Sequence, residues 1–586
     1  MVRLRLGFIV IAMVLSFFGA RLVQLQVIDP KAYAEMAAAE GFVEVVLPAE
    51  RGGILDRNGV PLAGSVEGVM VVADPAWTTP DAHELARFLA TRLAIDYFAT
   101  LRALRAEGSR FEYVARRVPS TLADDALEEA EKLGYDGLST RRDPARDYPA
   151  GDVAANLVGF LGTPDPEEGV RPLAGFELTF DDQLSGRDGS ARYQVSGGNR
   201  IPLGENTIVK AVDGQDLRTT IDLDLQWYAQ RVLRQTVEDA RGESGIAVVM
   251  DTRTGELLAI ADHPTYDATQ PLDAEVGDLG SRAMSDVYEP GSVEKVLTMA
   301  SLLDAGKVTP RTRLRVPASL QRQDRSIGDW FPHGTINLTL AGVLAKSSNI
   351  GTVLATDKIS SPALGRYLTS FGLGQRTDIG VRGETPGILP EGTAMTPQTK
   401  DRVAFGQSLS VNAVQMAAAV NTIANGGLRI SPSVIAGSAR TDEGVVVGTN
   451  TAATRQVISA TAAEQTMKMM EKVLDPEDGV APGAAVPGYR VAGKTGTAQR
   501  VGADCGCYDG TFTVSFAGFA PADDPRFTVY VVVQDPRNGG GGGSVGGPAF
   551  AKIMSYALRR YAVPPTGAKP SDLPVEWGTV VGASDR

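Results

Sequence analysis

Cysteine and histidine are nearly missing from this chain. Its 586 residues hold only Cys505 and Cys507, one glycine apart. Such a pair supplies neither a disulfide framework nor a zinc pair with partners elsewhere. It reads as a local loop feature, bridged if the compartment is oxidising, in a ring that would be strained. The histidines, His83, His263 and His333, lie far apart, which argues against a histidine-based triad or zinc centre. No metal and no cofactor are expected. Runs of Lys or Arg are absent and the formal net charge is −13, so nucleic acid is not an expected partner. The N-terminal apolar run, Leu6–Ala20, would cover only about 22 Å as a helix, short of a ~30 Å hydrocarbon core. Its candidate cleavage site, Phe18-Gly19-Ala20, carries a bulky residue where a small one is wanted, and apolar residues continue past Arg21. The expectation is an uncleaved single span with the rest of the chain outside the cell; a removed signal peptide is the alternative.

What is present is enough apolar residue for folded cores, at 43% of the chain, and too much length for one core. The most informative stretch is Tyr288-Glu289-Pro290-Gly291-Ser292-Val293-Glu294-Lys295. A Pro-Gly turn leads into helical spacing of Val293, Val296, Leu297, Ala300 and Leu303, so a helix is predicted over Ser292–Ala305, ended by Gly306. Ser292 and Lys295 then share one face of its first turn. A lysine desolvated among apolar neighbours can take the proton of a serine hydroxyl, and the N–H groups of a helix start favour the charge that develops in acyl transfer. Standing alone, the pair is as readily a helix cap and a solvated lysine. It is, however, the chain's single S-x-x-K, and two companion motifs follow it.

Lys346-Ser347-Ser348-Asn349 ends an apolar helical run, where the Ser347 hydroxyl could relay a proton and the Asn349 amide could hold a substrate amide. Ser410-Val411-Asn412 matches the same S-x-N pattern, so the pattern alone is turn chemistry. Lys494-Thr495-Gly496-Thr497 lies on or beside a strand. Its lysine and hydroxyls suit a carboxylate, and Gly496 permits close approach. Order and combination, more than any one motif, carry the signal.

Around these motifs the chain divides. Residues 1–28 form a short cytoplasmic stub and anchor, and 29–212 are polar and punctuated by Gly and Pro. Helices are predicted over Glu84–Leu104 and Leu122–Leu133, and a hairpin around Asn58-Gly59. From 213 to 562 the pattern is α+β: a strand at Leu217–Ile221, a helix Leu223–Ala240, a hairpin over 246–261, helices to Gly426, strands near 489–492, 513–520 and 526–534, and a helix Pro548–Tyr561. Those late strands must return to the first hairpin, giving helices around one antiparallel sheet. The glycine run at 539–543 reads as a flexible loop, and residues 563–586 as a flexible tail.

With these residues in place, the chain resembles a class B penicillin-binding protein of the cell-division, FtsI-like type nearly end to end. Arg51-Gly52, Asp56-Arg57-Asn58-Gly59, Tyr148-Pro149 and Gly175-Phe176-Glu177 resemble that family's non-catalytic pedestal. Tyr288–Ser292, Phe405-Gly406-Gln407 and Lys494–Gln499 resemble its transpeptidase domain, and Phe405–Gly427 is similar to actinobacterial division enzymes. The resemblance implies an elongated mixed α/β pedestal below a transpeptidase domain, and a membrane-anchored enzyme that crosslinks peptidoglycan stem peptides. Ser292 would be the nucleophile, Lys295 its base, and Ser347 the proton relay supported by Lys494. Asn349 would bind the substrate amide, Thr495, Gly496 and Thr497 the substrate, and the N–H groups of Ser292 and Thr497 the oxyanion. β-Lactams, lipid II-derived strands, an FtsW-like SEDS glycosyltransferase and other divisome membrane proteins are the implied partners. Ser281, where the family often has Asn, the glycine run, the Cys505/Cys507 loop and the short N-terminus depart from the pattern. A rod-elongation transpeptidase, a hydrolase with the same site, and a non-catalytic scaffold or β-lactam sensor are the competing readings.

Overall fold

A computed structural model describes residues 2–23, 42–162, 170–196, 199–200, 207–323, 325–377, 379–502 and 506–578. The chain forms two compact units that interleave along the sequence. One comprises Met1–Arg51, Ser65–Ala145 and Ser185–Gly214; the other comprises Gly52–Gly64, Arg146–Leu184 and Gln215–Arg586.

In the larger unit, α1 (Leu223–Ala240) starts where Asp222 accepts from Leu225 N–H at 3.1 Å and ends at Arg241 with φ 48°. Its buried stripe, Leu225, Ala229, Val232, Leu233 and Val237, recurs at the spacing of one helical face. Strands β1 (Ser244–Asp251) and β2 (Leu257–His263) form the predicted hairpin, and β1 is buried at every position. Helices α2 (Lys295–Asp304), α3 (Leu340–Ala345), α4 (Asn349–Thr356) and α5 (Ala413–Ala424) follow. Then come β3 (Ala492–Val501), β4 (Tyr508–Ala520), β5 (Phe527–Gln534) and α6 (Gly546–Arg560). The sheet order is β2-β1-β5-β4-β3, and every neighbouring pair is antiparallel. The last strands therefore return to the first hairpin, as the alternation of strand and helix patterns implied. This order leaves β3, which carries Lys494–Thr497, at the edge of the sheet. Tyr228 of α1 stacks on Tyr556 of α6 at 4.2 Å between ring centroids, and Thr528 of β5 donates to Asn421 of α5 at 2.7 Å.

The smaller unit is built around the strand Gly68–Ala73, flanked by Glu112–Pro119 and Leu138–Arg142. The predicted helix over 84–104 is two helices, Ala82–Leu93 and Tyr97–Leu104, because Ala94 takes φ 53° and closes the first. With Ser120–Lys132 they bury Leu85, Leu89, Leu104, Ala123 and Ala126 against Val71.

The expected flexible tail differs over 563–578. Leu573 and Val575 are buried, Thr339 N–H donates to Val575 O at 3.0 Å, and Trp577 Nε1 donates to Leu314 O at 3.2 Å. An apolar anchor every other residue, plus backbone pairing, outweighs the polar composition. The glycine run is likewise packed: a Cβ at Gly542 would lie 2.1 Å from Ser515 O and 2.6 Å from Gly496 O, so the run lets backbone lie flush on β3 and β4. Residues Val2–Val23 are helical, yet no helix among the described residues is long and apolar enough to cross a membrane.

Three stretches that resemble pedestal motifs, at Gly52, Tyr148 and Glu177, meet inside the larger unit around Arg146. Arg146 Nε pairs with Glu177 Oε1 at 2.6 Å, and Arg146 Nη1 donates to Gly52 O at 2.8 Å. The Tyr148 hydroxyl donates to Glu177 at 3.4 Å and accepts from Leu161 N–H at 3.0 Å. Both ionised side chains are shielded, with exposures of 5% and 0%. Glu177→Ala takes the carboxylate from a buried guanidinium and is expected to destabilise the protein by about 3–5 kcal/mol, whereas Arg146→Met with Glu177→Leu costs less; denaturant midpoints of the two variants check this.

Candidate active site

The segment Tyr288–Lys295 is held from both sides before its helix begins. Tyr288 N–H donates to Val411 O at 3.1 Å, and Gly291 N–H to Gly406 O at 3.0 Å. Gly291 has φ 54°, a left-handed conformation that disfavours any side chain. Residues Gly291–Val293 form a single 3₁₀ turn and α2 starts only at Lys295, so the predicted continuous helix is tightened at its first turn. The tightening leaves Ser292 half-buried and carries Lys295 fully into the core. Beneath the turn, a side chain at Gly496 would meet Pro290 O at 2.8 Å.

Lys295 Nζ donates to Ser347 O at 2.7 Å, to Asn349 Oδ1 at 2.7 Å and, at the limit, to Ser347 Oγ at 3.5 Å. Lys494 Nζ donates to Ser347 Oγ at 2.9 Å, Thr495 Oγ1 at 3.0 Å and Thr495 O at 3.1 Å. Ser347 therefore bridges two lysines, carbonyl to one and hydroxyl to the other. It does so from φ 58°, a strained conformation for a residue with a side chain, of the kind that concentrates at functional sites. Both lysines are 0% exposed. Desolvation pulls Lys295 down to about 7 against the lift from Asp329 and Glu294. Desolvation and the charge of Lys295 hold Lys494 well below the lysine range. Beside them, burial pushes the Glu294 carboxyl well above its usual range, with Thr298 Oγ1 as its hydrogen-bond donor at 2.9 Å.

The structure thus joins Lys295, Ser347, Asn349, Lys494 and Thr495 in one hydrogen-bonded cluster, with Ser292 on the turn that opens α2 and Gly496 under that turn. Thr497 is exposed on the edge strand and accepts from Gly542 N–H at 3.5 Å. Ser410-Val411-Asn412 does not join: Asn412 caps α5 in a reciprocal box with Gln415. Sequence reasoning missed two groups. Glu289 accepts from Ser408 N–H at 2.8 Å and from the Tyr508 hydroxyl at 3.0 Å, tying the turn to the Phe405–Ser408 loop and to β4. The segment 328–333 grips the S-x-N turn, with Gly328 O accepting from Asn349 Nδ2 at 3.1 Å. Gly328-Asp329-Trp330-Phe331 has no periodicity or motif that could have signalled this. Cys507 is disulfide-bonded; Cys505 lies outside the described residues.

Comparison with known proteins finds matches over nearly the whole chain. Residues 245–555 match the penicillin-binding protein transpeptidase domain, and residues 46–219 the penicillin-binding protein dimerisation domain. Penicillin-binding protein PbpB of Mycolicibacterium smegmatis is 34% identical over 96% of this chain and 91% of its own length. Peptidoglycan D,D-transpeptidase FtsI of Escherichia coli is 32% identical over 96% and 92%. A crystal structure of penicillin-binding protein 3 from Mycobacterium tuberculosis with aztreonam superposes with a TM-score of 0.69 at 29% identity, covering 91% of this chain and 100% of that one.

A base must be neutral to accept a proton, so the reactivity of Ser292 toward an acylating probe is expected to fall as pH drops through about 7, where Lys295 becomes an ammonium. Stopped-flow acylation rates between pH 5.5 and 9 check this; a rate flat across that range rules Lys295 out as the base.

Proposed function

This chain belongs to the class B penicillin-binding proteins, and we propose that it is a serine-type peptidoglycan D,D-transpeptidase of septal wall synthesis. The observation that carries the reading is the dry cluster in which two lysines share Ser347 next to the Ser292 turn and the edge strand β3.

In this reading the stem peptide lies along β3, an edge whose free backbone groups can add a strand. Thr495 and Thr497 hold its terminal carboxylate and Asn349 its amide. Lys295 takes the Ser292 proton as Oγ attacks the carbonyl of the penultimate D-alanine, and the N–H groups of Ser292 and Thr497 receive the oxyanion. As the tetrahedral centre collapses, Ser347 passes the proton to the departing nitrogen, and the terminal D-alanine leaves. Lys494 holds that hydroxyl in line from 2.9 Å. An amine of a neighbouring stem then attacks the ester, gives up its proton through the same groups, and restores Ser292. A β-lactam enters the first step and keeps its leaving group tethered.

Residues 29–212 serve as the non-catalytic pedestal in this reading, and 1–28 as the anchor that leaves the catalytic domain outside the cell membrane. Support for the anchor is the helix Val2–Val23, whose Phe8, Ile9, Ile11, Met13, Val14, Leu15, Phe17 and Phe18 are all exposed. These positions run around the whole helix circumference, a pattern that suits lipid better than water. The implied partners are lipid II-derived strands, an FtsW-like SEDS glycosyltransferase and other divisome membrane proteins.

The detergent-solubilised full chain is expected to take a stoichiometric, denaturation-resistant label from fluorescent penicillin. Ser292→Ala should take none while melting at the wild-type temperature. A label that survives Ser292→Ala would place the nucleophile elsewhere, and no label on folded wild type would favour the scaffold.

A further inference from the structure

One buried carboxylate stands behind the catalytic cluster without touching it. The Asp329 side chain is 0% exposed. Its Oδ1 accepts from Ile350 N–H at 3.0 Å, and its Oδ2 from Ser348 Oγ at 2.7 Å. Ser348 is the N-cap of α4, spending its oxygen on Gly351 N–H at 2.8 Å, so its hydroxyl proton is free only for Asp329. On the far side, His333 Nε2 lies 3.1 Å from Asp329 Oδ2, and its Nδ1 lies 2.6 Å from Gly334 O. The ring therefore bridges the Asp329 carboxyl and the Gly334 carbonyl.

We propose that Asp329, clamped by His333, is a positioning residue for the acylation step. It fixes Ser348 and Ile350 on either side of Asn349, and with them the Ser347 carbonyl and Asn349 Oδ1 that hold Lys295. The neighbours on both flanks act on the same turn. Gly328 O takes Asn349 Nδ2, and Trp330 Nε1 donates to Lys346 O at 2.9 Å. The segment therefore anchors the turn at 346, 348, 349 and 350, leaving Ser347 as the position pointed at the lysines. Without that hold, the left-handed Ser347 backbone has no reason to persist.

Asp329 also acts through charge. The ionisable groups facing Lys295 are Lys494 from β3, Glu294 from its own turn, and Asp329; Lys346, at the end of α3, is paired with Asp478 at 2.9 Å. The Asp329 carboxylate favours the protonated form of Lys295, so removing that charge lowers the pH at which Lys295 takes up its proton.

The inference rests on the acylation chemistry proposed above, which the wild-type label and Ser292→Ala test separately. Its own test is the pH profile of the acylation rate by nitrocefin for full-length wild type, Asp329→Asn, His333→Gln and Ser348→Ala. Active-site counts correct for any misfolded fraction. Asp329→Asn is expected to acylate on the order of 10- to 100-fold more slowly, with its inflection moved to lower pH. His333→Gln, which loosens the clamp and leaves the Asp329 carboxylate in place, should slow acylation without the shift that Asp329→Asn gives. Ser348→Ala, which removes a donor but no charge, should slow acylation and leave the inflection at the wild-type pH. Should Asp329→Asn fail to fold, the other two variants carry the test. An Asp329→Asn inflection at the wild-type pH would overturn the proposal, as would wild-type rates in all three variants.

Discussion

Two lysine amino groups buried side by side are the constraint to which the larger unit answers. Lys295 and Lys494 are both shut away from water, and an uncompensated cation in such a place is among the costliest features a fold can hold. The surroundings meet the cost with acceptors in place of counter-charges in contact: a carbonyl and an amide oxygen for Lys295, a carbonyl and two hydroxyls for Lys494. The acidic groups that act on Lys295, Glu294 and Asp329, are engaged by their own donors. A lysine so placed gives up its proton easily, which is the property a base needs. The same desolvation that weakens the fold locally produces the reactivity.

Position follows from the sheet. β1 and β5 are buried along their whole lengths, so the register of the sheet is fixed from the inside outward to β3 at its edge. There Lys494 points into the core while Thr497 remains exposed. The turn bearing Ser292 reaches that edge because Gly291, Gly496 and Gly542 carry no side chains where backbone meets backbone. Side chains that do chemistry thus stand on the rigid strand and helix starts, and the close contacts are left to glycine.

How much of this was legible depends on whether a residue's role was local. Helix Leu223–Ala240 was legible to its ends because its buried stripe and Asp222 cap are both written within a few residues. The three motifs were legible as a set, although each was cheap alone. Ser410-Val411-Asn412 and Ser347-Ser348-Asn349 cannot be told apart by pattern, since what separates them is which one lies against Lys295. The break at Ala94, the packed glycine run and the bound segment 563–578 were missed because tertiary contacts overrode composition. Asp329 and His333 gave no signal, since their partners are fixed by the path of a loop that no periodicity describes.

The C-terminal segment has a consequence for how such a chain comes into being. Thr339, which caps α3, receives Val575, and α3 in turn delivers the Ser347 turn. β1 pairs along its length with β5, some of whose residues lie nearly three hundred positions later. A chain made from its N-terminus presents Ser292 well before Lys494, and Lys494 before the segment that pairs with Thr339. Until that segment has joined Thr339, α3 and the Ser347 turn lack one of their anchors. The cluster is thus assembled from pieces far apart in the chain, and its completion reports that the whole domain has come together.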